Sequence, residues 1–231
     1  QFFNYKQKKM IKELDKGPEM FGANQISKHQ SEPILALAYF NKVKFYNLKT
    51  DAFYLELKSL SNKIMNMAYD PTGQYIAGAS DKANIQLWDL EKNKTGLKIP
   101  LFFPCQFSAD GQYIYAMSYG VNVGIFDIEN NELEGILPSG GELMKKIEIS
   151  NNGQYLAGSS YTGKIYIYDL TQKKLIQTVD QMQGIISGLA FSHDDQLIAA
   201  SNLSGMVQII DWKKNTIKAT PLPHVTAVGD V

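Results

Sequence analysis

The chain has 231 residues, 44% of them hydrophobic, and 23 basic against 23 acidic side chains. It is long enough to bury a large β core, and its charge gives no net pull toward nucleic acid or an anionic membrane. All 23 basic residues are lysines, which removes the bidentate guanidinium fork favoured by phosphate and guanine readers. The lone Cys105 excludes an intrachain disulfide and suits a reducing compartment, and no apolar run reaches the roughly 18 residues of a membrane-spanning helix.

Two stretches set the pattern. Residues 154–170, QYLAGSSYTGKIYIYDL, match residues 74–90, QYIAGASDKANIQLWDL, and weaker copies flank both. Each reads as two apolar runs about a short polar turn, closed by an aromatic–aspartate–leucine ending. Aligned on the residue that ends the third strand of each copy, the anchors are Asn4, Asn47, Asp89, Asp127, Asp169 and Asp211, spaced 43, 42, 38, 42 and 42 residues apart. A period of about 40–45 residues with strand-like alternation, as in Ile165-Tyr166-Ile167-Tyr168, predicts one four-stranded propeller blade per repeat. Helical repeats of that period would instead space apolar residues by three and four.

In chain order, residues 1–16 are expected to end a preceding blade. Phe2-Phe3-Asn4-Tyr5 parallels Ile167-Tyr168-Asp169-Leu170, with helix propensity over 8–16 as the competing reading. The first complete blade is expected over 20–59, with a turn at 27–33, a hairpin of 34–39 and 42–47, and an outer strand over 53–57. Blades follow over 62–99, 103–138, 143–180 and 185–221. Their first turns recur as Asp70-Pro71-Thr72-Gly73, Ser108-Ala109-Asp110-Gly111, Ser150-Asn151-Asn152-Gly153 and Ser192-His193-Asp194-Asp195. Residues 99–104, apolar but broken by prolines, read as a connection packed between elements. Residues 224–231 read as the first strand of a following blade. With Gln1 in place of Met and no signal peptide, the chain is expected to be a piece of a longer protein.

These repeats resemble the WD-repeat β-propeller family over nearly the whole chain. The residues that carry the resemblance are Phe107-Ser108 and Phe191-Ser192 before the turns, and Trp88-Asp89, Phe126-Asp127 and Tyr168-Asp169 at the ends of third strands. It implies an all-β ring, commonly of seven four-stranded antiparallel blades, of which this chain would supply about five complete ones and partial blades at both ends. The family often carries a Gly-His pair before the first strand and an aspartate between the second and third, joined in a buried hydrogen-bond network. Here the aspartate survives only at Asp81 and the histidine only at His224, so apolar packing is expected to hold most blades. A truncated arc would leave two hydrophobic strand edges open, so these residues alone are expected to be poorly soluble; closure as five or six blades is the alternative.

Chemistry is sparse. His193-Asp194-Asp195 has the residue types of an acid–base or metal site but occupies a turn position, and a solvated turn explains it. His29 and His224 have no paired carboxylate at a useful spacing, Cys105 has no His partner, and Ser139-Gly140-Gly141 lacks the GxxxxGK[ST] pattern of a phosphate cradle. The lysine pairs at 8–9, 145–146, 173–174 and 213–214 could touch phosphate, but three of the four sit next to outer-strand turns, where solvated lysines also protect edges, and the solvated reading is preferred. No catalytic residue, metal site or cofactor is expected.

One set of positions suits a working surface. Eight residues before each third-strand anchor stand Tyr39, Asp81, Tyr119, Tyr161 and Leu203. The resemblance implies that these turns share a face with the blade connections, which hold Met182 and His224. Three tyrosines there would suit capture of a peptide or partner loop, or would replace the missing aspartates as packing. The function implied is a non-catalytic protein–protein interaction scaffold in a larger assembly, cytoplasmic and of cytoskeletal or ciliary type. The alternative is a scaffold of an RNA-processing or ribosome-biogenesis particle, and a propeller enzyme is the third reading; the nucleus is the other compartment left open. Expected partners are other proteins and the rest of a longer chain; membrane insertion is not expected, and the neutral balance and missing arginine disfavour nucleic acid.

Overall fold

The computed structural model describes residues 2–4, 9–12, 23, 25–40, 42–58, 63–80, 84–92, 94–118, 121–138 and 140–221, and these hold 22 β-strands and no α-helix. A two-stranded sheet pairs β1 (Phe2–Asn4) with β2 (Lys9–Lys12). Strand pairing there agrees with the strand reading of the opening residues rather than the helical one; the expectations for 13–16, for the start of the first blade before Ala23 and for 224–231 lie outside the described residues.

Five four-stranded antiparallel sheets follow, each made from four strands consecutive in the chain. The first sheet holds β3 (Gln25–Lys28), β4 (Ile34–Tyr39), β5 (Lys42–Asn47) and β6 (Ala52–Lys58). The second holds β7 (Ile64–Tyr69), β8 (Tyr75–Ser80), β9 (Ile85–Asp89) and β10 (Lys94–Ile99). The third is β11 (Phe102–Phe107), β12 (Tyr113–Met117), β13 (Val123–Asp127) and β14 (Glu132–Leu137). The fourth is β15 (Met144–Ile149), β16 (Tyr155–Ser160), β17 (Ile165–Asp169) and β18 (Lys174–Val179), and the fifth is β19 (Ile186–Phe191), β20 (Leu197–Asn202), β21 (Val207–Asp211) and β22 (Thr216–Ala219). These are the blades of an all-β propeller segment.

The aspartate that ends each third strand closes the following hairpin. Asp89, Asp127, Asp169 and Asp211 each accept the amide of the residue three further on, at 2.8–3.1 Å, and Asn47 does the same for Thr50. A short acceptor side chain at this place satisfies a turn amide that the sheet ladder leaves over, which is why the position repeats. The first turns have a matching device: Ser108, Ser150 and Ser192 each accept the amide five residues on at 2.9 Å, and Asp70 does so at 2.7 Å.

Packing occurs between blades. Third strands such as β17 are buried on both faces, whereas the fourth strands β6, β14 and β18 are largely exposed. Each junction between consecutive blades has its own apolar cluster. Phe45, Ile64 and Trp88 join the first to the second; Leu87, Leu101 and Phe107 the second to the third. Ile125, Met144 and Tyr168 join the third to the fourth, and Ile167, Ile186 and Trp212 the fourth to the fifth. The small residues of the QYxAG motif leave room for these large neighbours: a Cβ on Gly78 would sit 2.8 Å from the Trp88 ring, and one on Gly158 would strike the Met144 sulfur.

Two local expectations change. Ser27 and Lys28 belong to β3, paired with Ala36 and Leu35, so the first turn starts at His29, whose Nδ1 accepts the amides of Ser31 and Glu32. Residues 99–104 are not only a connection: Ile99 ends β10, Phe102 opens β11, and Leu101 between them is buried in the junction. The inner strands β3, β7, β11, β15 and β19 pack in chain order, each against the next, around a shared channel.

Candidate functional site

Antiparallel order fixes which loops share a face. A chain that runs first to fourth strand within a blade and on to the next first strand places second-to-third turns and blade connections at one end of the blades. First-to-second and third-to-fourth turns lie at the other end. Among the described residues the connecting face therefore carries the turn residues 40, 84, 118, 121–122, 161–164 and 203–206, and the connecting residues 63, 100–101, 138, 140–143 and 180–185.

Of the five positions singled out by spacing and the two, Met182 and His224, taken from the blade connections, Asp81, Tyr119 and His224 lie outside the described residues. Tyr161 and Leu203 stand in exposed turns, 42% and 49% accessible. Tyr39 is the last residue of β4 and is buried with Leu37 and Tyr46, because this hairpin closes over only two residues and Tyr39 pairs directly with Lys42. Phe40, in the left-handed region at φ 43°, takes the exposed turn position there. The Met182 side chain is buried in the junction of the fourth and fifth blades, and its carbonyl lies against Gly163 in the neighbouring turn.

Apolar packing is not what closes the fourth and fifth turns. Ser160 Oγ accepts the amides of Thr162 and Lys164, while Glu142, from the preceding connection, accepts from the Thr162 hydroxyl and, at 2.9 Å, from the Lys164 ammonium. The Thr162 hydroxyl first, and then Lys164 and Ser160, outweigh desolvation and hold the Glu142 carboxyl down at about 2. In the fifth blade Asn202 Oδ1 accepts the amides of Ser204 and Met206, and its Nδ2 donates to the Gln183 carbonyl at 2.8 Å. Polar sets of different composition thus tie turn to connection where the Asp–His pair is missing.

Other chemically suggestive residues are structural. Asp195 is buried in its turn, where it accepts the amides of Asn151 and Asn152 from the preceding blade. Cys105 is buried; its thiol donates to Asn66 Oδ1 at 3.0 Å, and burial pushes it up to about 12, which silences it as a nucleophile. Lys173 pairs with Glu134 across a blade junction, and Lys214 pairs with Asp211. Among the described residues no group of three or more His, Cys, Asp and Glu is placed to hold a metal, and no helix is long and apolar enough to cross a membrane.

The channel opens on the connecting face through a cavity of about 560 Å³, lined by residues from all five inner strands and by Leu203. A second cavity of about 370 Å³ continues along the same strands with a polar wall that includes Lys28, Gln106 and Glu148. Ile26, Phe103, Lys145 and Lys146 at the mouth escaped the count from third-strand anchors. They stand at or near the starts of first strands, where spacing measured from the other side of the blade gives no signal.

A family model described as "WD domain, G-beta repeat" matches residues 55–89, from Leu55 in β6 to the Trp88-Asp89 pair. A "Striatin homolog" from Dictyostelium discoideum is 31% identical over 71 residues, 29% of this chain and 9% of that protein. The matched stretch therefore spans about a tenth of the relative's length.

Proposed function

We propose that this chain, which belongs to the WD-repeat family, is a non-catalytic platform whose blade-connecting face holds protein partners. The observation that carries the proposal is the concave channel mouth on that face, lined in part by the exposed Ile26 of β3 and Leu203, with the exposed Phe40 and Tyr161 in turns and Leu143 in a connection on the same face. The other large exposed apolar side chains are spread along the outer strands β6, β14, β18 and β22, apart from Leu48 at the opposite end. Exposed apolar residues gathered on one surface around a concave mouth mark an interaction site more than a scatter of single ones does. The rigid strands behind them fix their relative positions, so a partner reads the combined surface of several blades.

The assembly served is cytoplasmic, of cytoskeletal or ciliary type. That finer reading rests on the divergence of the blades and on the absence of arginine, which disfavours an RNA particle. The test is purification of the full-length protein with its partners, comparing a Tyr161→Ser, Leu203→Asp double variant with a Leu175→Asp control on the outer strand β18. Loss of the same partner from the double variant alone, with unchanged thermal melts, supports the platform. Loss from the control alone, or from neither, contradicts it.

A further inference from the structure

We infer that the mouth of the channel receives a partner segment bearing a carboxylate beside an apolar side chain, with Lys145 holding the carboxylate. The inference rests on the connecting face being the partner surface and adds the chemistry of what that surface takes.

The mouth cavity, about 560 Å³, falls within the roughly 300–1,000 Å³ of pockets that enclose a small ligand or a few side chains. Its lining combines Ile26, Phe103 and Leu203 with two cations, Lys145 and Lys146, and among the described residues no carboxylate lines it. Lys145 Nζ lies 5.4 Å from the Phe103 ring centroid and 5.8 Å from that of Tyr161. Two rings, on the third and fourth blades, thus position one half-buried ammonium, and no carboxylate pairs with it among the described residues.

Two carboxylates of this blade and of the connection that enters it are committed elsewhere. Glu142 takes Lys164 and Thr162, and Glu148, deeper in the channel, accepts the Gln106 amide at 3.2 Å. A cation held against aromatic faces has given up part of its hydration and keeps its N–H donors, so an incoming anion completes its coordination. Beside it Ile26 is 63% exposed and Leu203 is 49% exposed, which provides apolar contact for the residue next to that anion.

A carboxylate fits better than a phosphate. Phosphate sites draw on guanidinium forks or helix N-termini, and the chain has no arginine and the described residues no helix. A lysine acts as a point charge, sufficient for one carboxylate next to an apolar contact.

The test uses the full-length protein and three pools of short fluorescent peptides. In each pool leucine is fixed beside a central position that is glutamate, glutamine or phosphoserine, and the other positions are randomised. The glutamate pool is expected to bind about tenfold more tightly than the glutamine pool, the order of a charge-assisted hydrogen bond. Lys145→Gln should bring glutamate binding down to the glutamine level, and Lys145→Glu should abolish it. Equal binding of the glutamate and glutamine pools, a preference for phosphoserine, no binding of any pool, or indifference to Lys145→Gln each overturns the inference. Lys145→Gln, neutral and similar in size, carries the test if the charge reversal fails to fold. A native partner that cross-links to the connecting face while the pools do not discriminate would leave the platform standing and remove the carboxylate. A glutamate-selective mouth with the native partner on the outer strands would do the opposite.

Discussion

Asp195 of the fifth blade accepts the backbone amide of Asn151 in the fourth at 2.8 Å, and the Asn151 side-chain amide at the same distance. The second carboxylate oxygen takes the Asn152 amide at 2.9 Å, and the Asp195 carbonyl takes the Trp212 indole N–H at 3.0 Å. Sequence puts this residue in a solvated turn; the structure makes it a buried clasp between blades.

Asp195→Ala removes an acceptor and leaves the Asn151 and Asn152 amides short of a partner in a half-closed junction. A loss of about 2–3 kcal/mol is expected, the scale of hydrogen bonds to a charged group plus unsatisfied donors. Denaturant unfolding of the full-length protein checks it. A loss comparable to that of an exposed turn substitution such as Asp110→Ala would show that the clasp contributes little.

Acid should loosen the fourth-blade turn through Glu142. Its carboxyl is lowered from 4.5 to about 2 in the folded chain, so it is charged in the fold at a pH where the unfolded chain already binds a proton. The stability it provides is therefore fully present above about pH 4.5 and is lost as pH falls toward 2. Wild type should melt above Glu142→Gln at pH 6, and the gap should shrink steadily below pH 4.5. A gap constant across that range would refute the linkage.

Gly163 has φ +101°, and a Cβ there would lie 2.4 Å from the Met182 carbonyl oxygen and 3.0 Å from that of Gly184. Gly163→Ala should destabilise by well over the roughly 1 kcal/mol of a positive-φ alanine, because the turn is pressed against the connection to the next blade. Gly141→Ala, at φ +89° with open space around it, supplies the comparison. Equal melting shifts in the two variants would contradict the close approach.

Trp212 is buried between blades, with the Tyr155 ring 5.0 Å and the Phe191 ring 6.5 Å from its centroid. Trp212→Ala should cost about 3–5 kcal/mol, as large aromatic truncations in cores do. Trp212→Phe should recover most of the packing but lose the indole bond to Asp195. Chemical denaturation of both variants orders the two contributions; equal losses in the two would assign the whole effect to the hydrogen bond.

The strand frame was legible because its determinants are local. From Asn47 onward each third-strand anchor accepts an amide three residues away, and each first-turn serine or Asp70 one five residues away, so the devices recur at the repeat period and show in the letters. The clasp was not legible. Asp195 and Asn151 are 44 residues apart, and nothing in either turn marks a partner in the neighbouring blade. Tyr39 illustrates a second limit: counting eight residues back from Asn47 assumes equal hairpin lengths, and a two-residue turn shifts the exposed position to Phe40. At the channel mouth, nothing in the sequence sets Lys145 apart from the other paired lysines until the fold places Phe103 and Tyr161 beside it.

The central claim is that partners dock on the blade-connecting face, and cross-linking mass spectrometry of the native full-length protein with its partners tests it most directly. Lys63, Lys145 and Lys146 mark that face or the channel mouth, whereas Lys49, Lys173 and Lys214 mark the opposite end of the blades. Cross-links to partner chains are expected to concentrate on the first group. Cross-links concentrated on the second group would place the partner at the opposite end and contradict the account.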